Sequence, residues 1–290
     1  MSLSVAIITK NEEANLRRTL ESVKWADEIV VVDSGSTDRT CDIAREYGAK
    51  VFVEEWKGFA KQKNSAIEKC TSDWILSLDA DEEVSTELAG ELQDALSAIQ
   101  AALLAHEGMP KQEIKQALGW KHVSRSDLER YSYRTDGCEF PRKNIFLGRW
   151  IRFGGFYPDA KLRCFRRGFA KFEARHVHET ITGTGGLKVR LKTPLIHHAY
   201  PTLSGYIEHM NRYSDLGSEM VVEKRGKVGF SFINIVLRPL ATFIYNYFLR
   251  LGFLDGREGL LLHLYHSVYV SWKYAKAWEL SSSGERGTKR

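Results

Sequence analysis

The chain has 290 residues, 43% hydrophobic and 27% charged, which excludes wholesale disorder and low-complexity architectures. Its formal net charge is +5, but residues 141–175 hold ten Lys or Arg against two acids, a local +8 that leaves −3 elsewhere. This asymmetry points to an anionic partner such as a phosphate or an acidic membrane surface; no DNA- or RNA-binding signature accompanies it, so nucleic acid is not expected. Cys41, Cys70, Cys138 and Cys164 form no C-x-x-C or zinc-like spacing and read as reduced thiols. The N-terminal stretch lacks the basic region and long apolar run of a signal peptide, so the chain is expected in the cytosol or on the cytosolic face of a membrane.

In chain order, Leu3 to Thr9 reads as a buried strand, and Asn11 to Val23 turns helical with Leu16, Leu20 and Val23 inward. Glu28 to Val32 is a second strand, ending at the polar loop Asp33 to Asp38, where Ser36 or Thr37 suits a helix N-cap. Thr40, Ile43, Ala44 and Tyr47 give the next helix its inner face, and Lys50 to Val53 a third strand. A helix over Phe59 to Cys70 precedes a fourth strand, Asp73 to Leu78, which stops at Asp79-Ala80-Asp81-Glu82. Strands alternating with helices predict a parallel sheet covered on both faces, with ligands beyond its carboxyl ends. Three polar clusters fall there: residues 9–12, 33–38 and 79–81. Residues 84–134 read as charged and helical, 140–200 as short strands and loops, 203–226 as a polar helix. The apolar stretches 228–254 and 259–272 follow, then a polar tail from Ser281 to Arg290, expected to fray.

Asp79 and Asp81, one residue apart past a buried strand, can converge on a hard divalent cation, Mg²⁺ or Mn²⁺, with room for substrate phosphates. Asp33 at its own strand end can accept hydrogen bonds from a nucleobase edge or a ribose. Gly35 lets the backbone turn or a ligand approach.

Thr9-Lys10-Asn11-Glu12, Val31 to Asp38 and Leu78 to Glu82, in that order and spacing, resemble family 2 glycosyltransferases of the GT-A fold. Gly58, Gln62, Asn64 and Ala66 fit the helix before the D-x-D strand in that family. Downstream, Gly154-Gly155, Tyr157-Pro158-Asp159, Val177-His178-Glu179 and Gly252-Phe253-Leu254-Asp255-Gly256 resemble a bacterial subgroup of lipopolysaccharide inner-core assembly that includes a β-1,4-glucosyltransferase. The chain departs from that subgroup near residues 102–134, which bears on the acceptor and leaves the donor site alone.

The resemblance implies an α/β, Rossmann-like mixed sheet with a C-terminal helical, membrane-associating region. Thr9 and Glu12 would lie near the nucleobase and ribose, Asp33 would bind uracil or ribose, and Gly35, Lys63, Asn64, Arg163 and Arg166 would complete the donor site. Asp79 would reach the ribose or a metal-bound water, and Asp81 would ligate the metal, with His178 completing the shell. Glu179 is the implied general base for inverting transfer, with Asp159 its rival. On this reading residues 1–200 form the catalytic domain: 1–100 for the nucleotide sugar, 102–134 a charged helical insertion, 140–200 for the acceptor. Residues 201–280 form the membrane-associating helices and 281–290 a disordered tail. The expected partners are a UDP-sugar, a glycolipid or lipid-linked acceptor, and the cytoplasmic leaflet of a bacterial inner membrane.

Arg163, Arg166 and Arg167 suit phosphate oxygens in two-point contacts, on the donor or on an anionic acceptor, or form a solvated basic face. Two other classes stand beside the transferase: a zinc hydrolase built from His176, His178, His197 and His198, and a non-catalytic membrane scaffold. In the C-terminal region Arg238-Pro239 interrupts the apolar run, which argues for interfacial helices over a packed subdomain or a spanning helix.

Overall fold

The computed structural model describes residues 1–110, 113, 133–173, 180–183 and 187–287. The chain divides into two compact units, Met1–Arg142 with Ala160–Ala174 and Glu179–His197, and Lys143–Asp159 with Arg175–His178 and His198–Arg290. The first unit ends at His197. Lys143–Asp159, read from the sequence as part of the acceptor half, groups instead with the C-terminal helices.

In the first unit β1 (Leu3–Thr9), α1 (Glu13–Ser22), β2 (Glu28–Asp33), α2 (Thr40–Glu46), β3 (Lys50–Val53), α3 (Phe59–Glu68) and β4 (Trp74–Asp79) alternate as expected. β5 (Glu82–Glu83) and α4 (Thr86–His106) follow, then β6 (Thr135–Phe140) and β7 (Arg142–Phe146), which runs across the division of the units. Later elements are β8 (Arg149–Trp150), β9 (Lys161–Arg166), β10 (Ala170–Glu173), β11 (Thr180–Gly183), β12 (Leu187–Arg190) and β13 (Leu195–Tyr200). The main sheet has the order β12-β6-β9-β4-β1-β2-β3. β3, β2, β1 and β4 are parallel, whereas β9 runs antiparallel to both β4 and β6, so the sheet is mixed.

Side-chain alternation along β1 divides the core in two. Leu3, Val5 and Ile7 face α1, α2 and α4, through Leu16, Leu20, Val23, Ile43, Leu92 and Ile99. Ala6, with Val30, Val32 and Ile75, faces α3 through Ala66 and Cys70. The N-cap expectation for α2 is corrected: its N-cap is Arg39, without a side-chain cap bond. The capping work falls to Asp38, which accepts from the Thr40 N–H and hydroxyl and from the Glu13 N–H. All four cysteines carry free thiols. Of the charged helical segment, α4 ends at His106, and residues 111–112 and 114–132 lie outside the described residues.

The second unit is built on α5 (Leu203–Arg225) and α7 (Gly256–Gly287), with a core of Phe146, Ile151, Tyr206 and Leu262. Between them lies α6 (Arg238–Ile244), continuous with π-helical turns Ile233–Leu237 and Tyr245–Leu249. Pro239 lies inside this continuous helical run and supplies no N–H to the turn before it. Where a frayed tail was expected from Ser281, α7 continues to Gly287. A 3₁₀ turn, Gly252–Asp255, buries Asp255, whose carboxylate accepts the N–H groups of Arg152 and Phe153 at 2.9–3.1 Å. Beside it the His263 ring fills the place where a Cβ on Gly154 would stand, 1.9 Å from Cε1, and Gly154 holds a φ of +68°. Among the described residues no helix is long and apolar enough to cross a membrane.

Candidate functional site

The parallel register sets Thr9 opposite Asp33, and Ile8 opposite Asp79, so the expected strand ends lie side by side. Asp33 is fully buried and anchors its own loop. It accepts from the Thr9 hydroxyl at 3.0 Å, the N–H groups of Gly35 and Ser36 at 2.9 and 2.7 Å, and the Ser36 hydroxyl at 2.5 Å. Burial would raise its carboxyl, but the bonds from Ser36 and Thr9 hold it below the usual range. Gly35 makes that turn with a φ of +83°. Four donors fill the acceptor capacity of a carboxylate. A base or ribose contact at Asp33 therefore requires the Ser36 hydroxyl to turn away.

Asp79 closes β4, and the turn behind it is gripped by α1: the Thr19 hydroxyl donates to the Ala80 carbonyl at 2.7 Å, and Ser22 accepts the Val84 N–H. The Asp79 oxygens are each met by a buried cation, Lys63 Nζ at 2.8 Å and Arg163 at 2.6 Å. Burial alone would raise the Asp79 carboxyl, but Arg163 and Lys63 hold it well below the usual range. The same Arg163 nitrogen lies 2.6 Å from Glu82, which is wholly buried and also accepts the Asp79 N–H at 3.0 Å. Arg142 stands 3.8 Å from Glu82. Arg163 is thus a buried counter-ion that fixes Asp79, rather than a cation presented to a diphosphate. Both Asp79 oxygens carry a cation, so of the D-x-D pair Asp81 is the less compensated carboxylate.

Asp81 differs. It is part-exposed and is met by His197 Nε2 at 3.4 Å. Antiparallel pairing of β13 with β5 sets His197 opposite Glu82 and makes this meeting. Burial raises the Asp81 carboxyl, the His197 contact lowers it and prevails, and the Asp79 charge opposes that. Glu12 is raised, first by burial and then by the negative charges of Asp81, Asp38 and Asp79, against a bond from Asn15. A locally acidic field therefore surrounds Asp81.

Other expected residues are placed elsewhere. Asn64 gives its amide to the backbone of β10, donating to the Phe172 carbonyl and accepting the Phe172 N–H, both at 2.8 Å. Arg166 pairs in register with Trp74, the first residue of β4, at the far end of the strand from Asp79. There it faces Asp136 at 3.6 Å and stacks on Trp74 and Phe169, so it is removed from the donor site. The basic stretch is no single patch: Arg163 and Arg166 face acids, and Arg152 lies 4.2 Å over the Trp150 ring. Asp159 belongs to the second unit and holds a φ of +36°. His176, His178 and Glu179 lie outside the described residues. Of the four histidines of a zinc hydrolase, His197 faces Asp81, and His198, next on the same strand, points to the opposite side.

Sequence reasoning placed His197 only in the zinc-hydrolase alternative and gave Glu82 and Arg142 no role beside the D-x-D pair. Glu82 had a signal, standing directly after the D-x-D pair. His197 and Arg142 had none, because strand pairing over long separations brings them in. Among the described residues no three His, Cys, Asp or Glu side chains cluster as a ligand set. Asp81 and His197 offer one oxygen and one nitrogen in an acidic surrounding. That set fits a divalent cation that takes one or two protein ligands and completes its shell with substrate phosphate and water.

The model of the family described as "Glycosyl transferase family 2" matches residues 4–156, more than half of the chain. The lipopolysaccharide core biosynthesis glycosyltransferase LpsC of Rhizobium meliloti is 28% identical over 287 residues, 96% of this chain and 93% of the relative. An uncharacterized glycosyltransferase of Rickettsia bellii is 53% identical over 92 residues, 31% of each chain, so this chain spans about a third of that relative's length. Among solved structures, S. aureus TarS in complex with UDP aligns over 98% of this chain and 92% of its own, with 18% identity and a TM-score of 0.44. A family match that begins on β1, crosses the strand-end carboxylates and runs on to Phe156 makes the chain a member of glycosyl transferase family 2, an enzyme whose mixed sheet is of the GT-A class.

Proposed function

We propose that the chain moves a hexose from a UDP-sugar, UDP-glucose first, to a lipopolysaccharide or other surface-glycan precursor, in an inverting and metal-dependent reaction at the cytoplasmic face of a bacterial inner membrane. The observation that carries this reading is the contrast between Asp79, closed by two cations, and Asp81, turned to His197. The name of the R. meliloti relative supports the acceptor class.

Asp81 and His197 would hold the Mg²⁺ or Mn²⁺, which when bound neutralises the leaving diphosphate. Lys63 and Arg163 keep Asp79 ionised and fixed, ready to accept a ribose hydroxyl. Thr9, Glu12 and the loop anchored on Asp33 form the wall for the base. In the single displacement, the acceptor oxygen bonds to the anomeric carbon as the bond to UDP breaks. The acceptor proton passes to a carboxylate, Glu179 or Asp159.

The test is thermal stability of the whole chain against UDP, UDP-glucose, GDP and CDP, each with Mn²⁺ or EDTA. A ligand at 100 times its dissociation constant stabilises by about 2.7 kcal/mol. The expected result is a shift with the uridine ligands that EDTA abolishes and that Asp81→Asn removes. Equal shifts with all nucleotides would overturn the uridine assignment, and a shift indifferent to EDTA would overturn the metal.

A further inference from the structure

α6 and its flanking turns carry large apolar side chains on the exposed side as well as on the inward one. In an ordinary surface helix the apolar residues at three- and four-residue steps face the core. Here Ile233, Leu237, Leu240, Ile244 and Phe248 keep those steps and are 44–66% exposed. The half-buried side carries Ile235, Phe243 and Tyr247 beside Asn234, Thr242 and Asn246. Thirteen of the 25 exposed large apolar side chains among the described residues fall within residues 230–254, so the patch is concentrated and not a scatter. Arg238, the charge that interrupts this run in the sequence, is folded back: its guanidinium donates to the Tyr274 hydroxyl and stacks on that ring. Ser271 of α7 holds the Ile235 carbonyl at 2.7 Å, which fixes the side α6 turns inward.

The charges around the patch identify what covers it. Residues 224–254 hold Lys224, Arg225, Lys227, Arg238 and Arg250 and no acid. With Arg238 folded back, a second copy set on the patch would bring Lys224, Arg225, Lys227 and Arg250 near their own equivalents, which disfavours self-association. An anionic lipid surface complements both features, apolar face to acyl chains and cations to phosphates. We propose that α6 lies in the headgroup boundary of an anionic bilayer, its outward face among the acyl chains, with Lys224, Arg225, Lys227 and Arg250 on lipid phosphates. This deepens the membrane part of the proposed function and is independent of the transfer chemistry.

The experiment is sedimentation of the full chain with vesicles of phosphatidylcholine alone and of phosphatidylcholine with phosphatidylglycerol, at low and high salt. The expected result is binding that needs the anionic lipid and weakens with salt. Leu240→Ser with Ile244→Ser and Phe248→Ser should lower it by about tenfold or more. Lys224→Gln with Arg225→Gln and Lys227→Gln, which leaves the apolar face intact, should remove the preference for anionic lipid. Asp81→Asn should bind vesicles as the parent does, whatever becomes of UDP binding, so failure of the two readings is distinguishable. Absence of vesicle binding, binding indifferent to lipid charge and salt, or a dimer that the triple serine variant turns to monomer would overturn the proposal.

Discussion

Both ends of the parallel strands carry carboxylates, and they differ in how completely those are compensated. At the amino end Glu28 takes Lys50 at 2.7 Å, the Ser4 hydroxyl and both donors of Thr71. Asp27 accepts the Leu3 N–H and Asp73 the Ser2 N–H. A cavity of about 440 Å³ opens there, lined by Lys24, Asp27, Glu28, Tyr47, Lys50 and Thr71, yet its acids are already closed by the sheet's own donors. At the carboxyl end Asp33 and Asp79 are closed in the same way, while Asp81 and Glu12 keep an acidic field with an imidazole beside it. The two ends differ in charge left incompletely balanced, and the proposed function places the reaction at the less balanced one.

Arg163→Ala attacks that contrast most directly. It leaves Asp79 and Glu82 buried without their shared cation, and we expect about 3–5 kcal/mol of lost stability in chemical denaturation. Arg163→Lys should recover part of this, since an ammonium lacks the guanidinium fork. Asp81→Asn should cost transfer on the order of 10²–10³-fold, the size of one preorganised electrostatic contact, with the melting temperature unchanged. His197→Gln should cost about 10–100-fold and shift the Mn²⁺ concentration needed for half-maximal UDP binding upward. Glu28→Gln should leave transfer alone and cost about 1–2 kcal/mol at neutral pH. Burial would raise the Glu28 carboxyl, but Lys50, Ser4 and Thr71 bring it from 4.5 down to about 2. A depressed carboxyl stabilises above its unfolded pKa and loses that contribution as pH falls through the folded one. Parent and variant should therefore converge in stability between pH 4.5 and about 2.

What the sequence disclosed follows from range. β1, β2 and β4 sit within a residue of their expected spans because Val, Ile and Leu runs bounded by polar loops are local signals. The D-x-D pair was legible for the same reason. Arg163 and Arg166 looked equivalent in the chain, and the antiparallel register of β9 on β4 separates them, one at Asp79 and one at Trp74. His197 meets Asp81 across more than a hundred residues, through a two-residue pairing no local pattern announces. The apolar character of α6 and an interfacial setting were expected from the sequence, but which of its residues stand outward was not, because a hydrophobic stripe carries no record of which side a neighbour occupies.

Asp255 bears on how such enzymes can be recombined. Its carboxylate takes the amide protons of Arg152 and Phe153 from a hundred positions upstream, while His263 occupies the space a side chain on Gly154 would need. A chimaera that exchanged only the chain after residue 198 would strand those amides and oppose mismatched surfaces around Gly154. The transplantable piece is discontinuous: Lys143–Asp159 has to travel with His198–Arg290, and a crossover placed elsewhere cuts through one folded object.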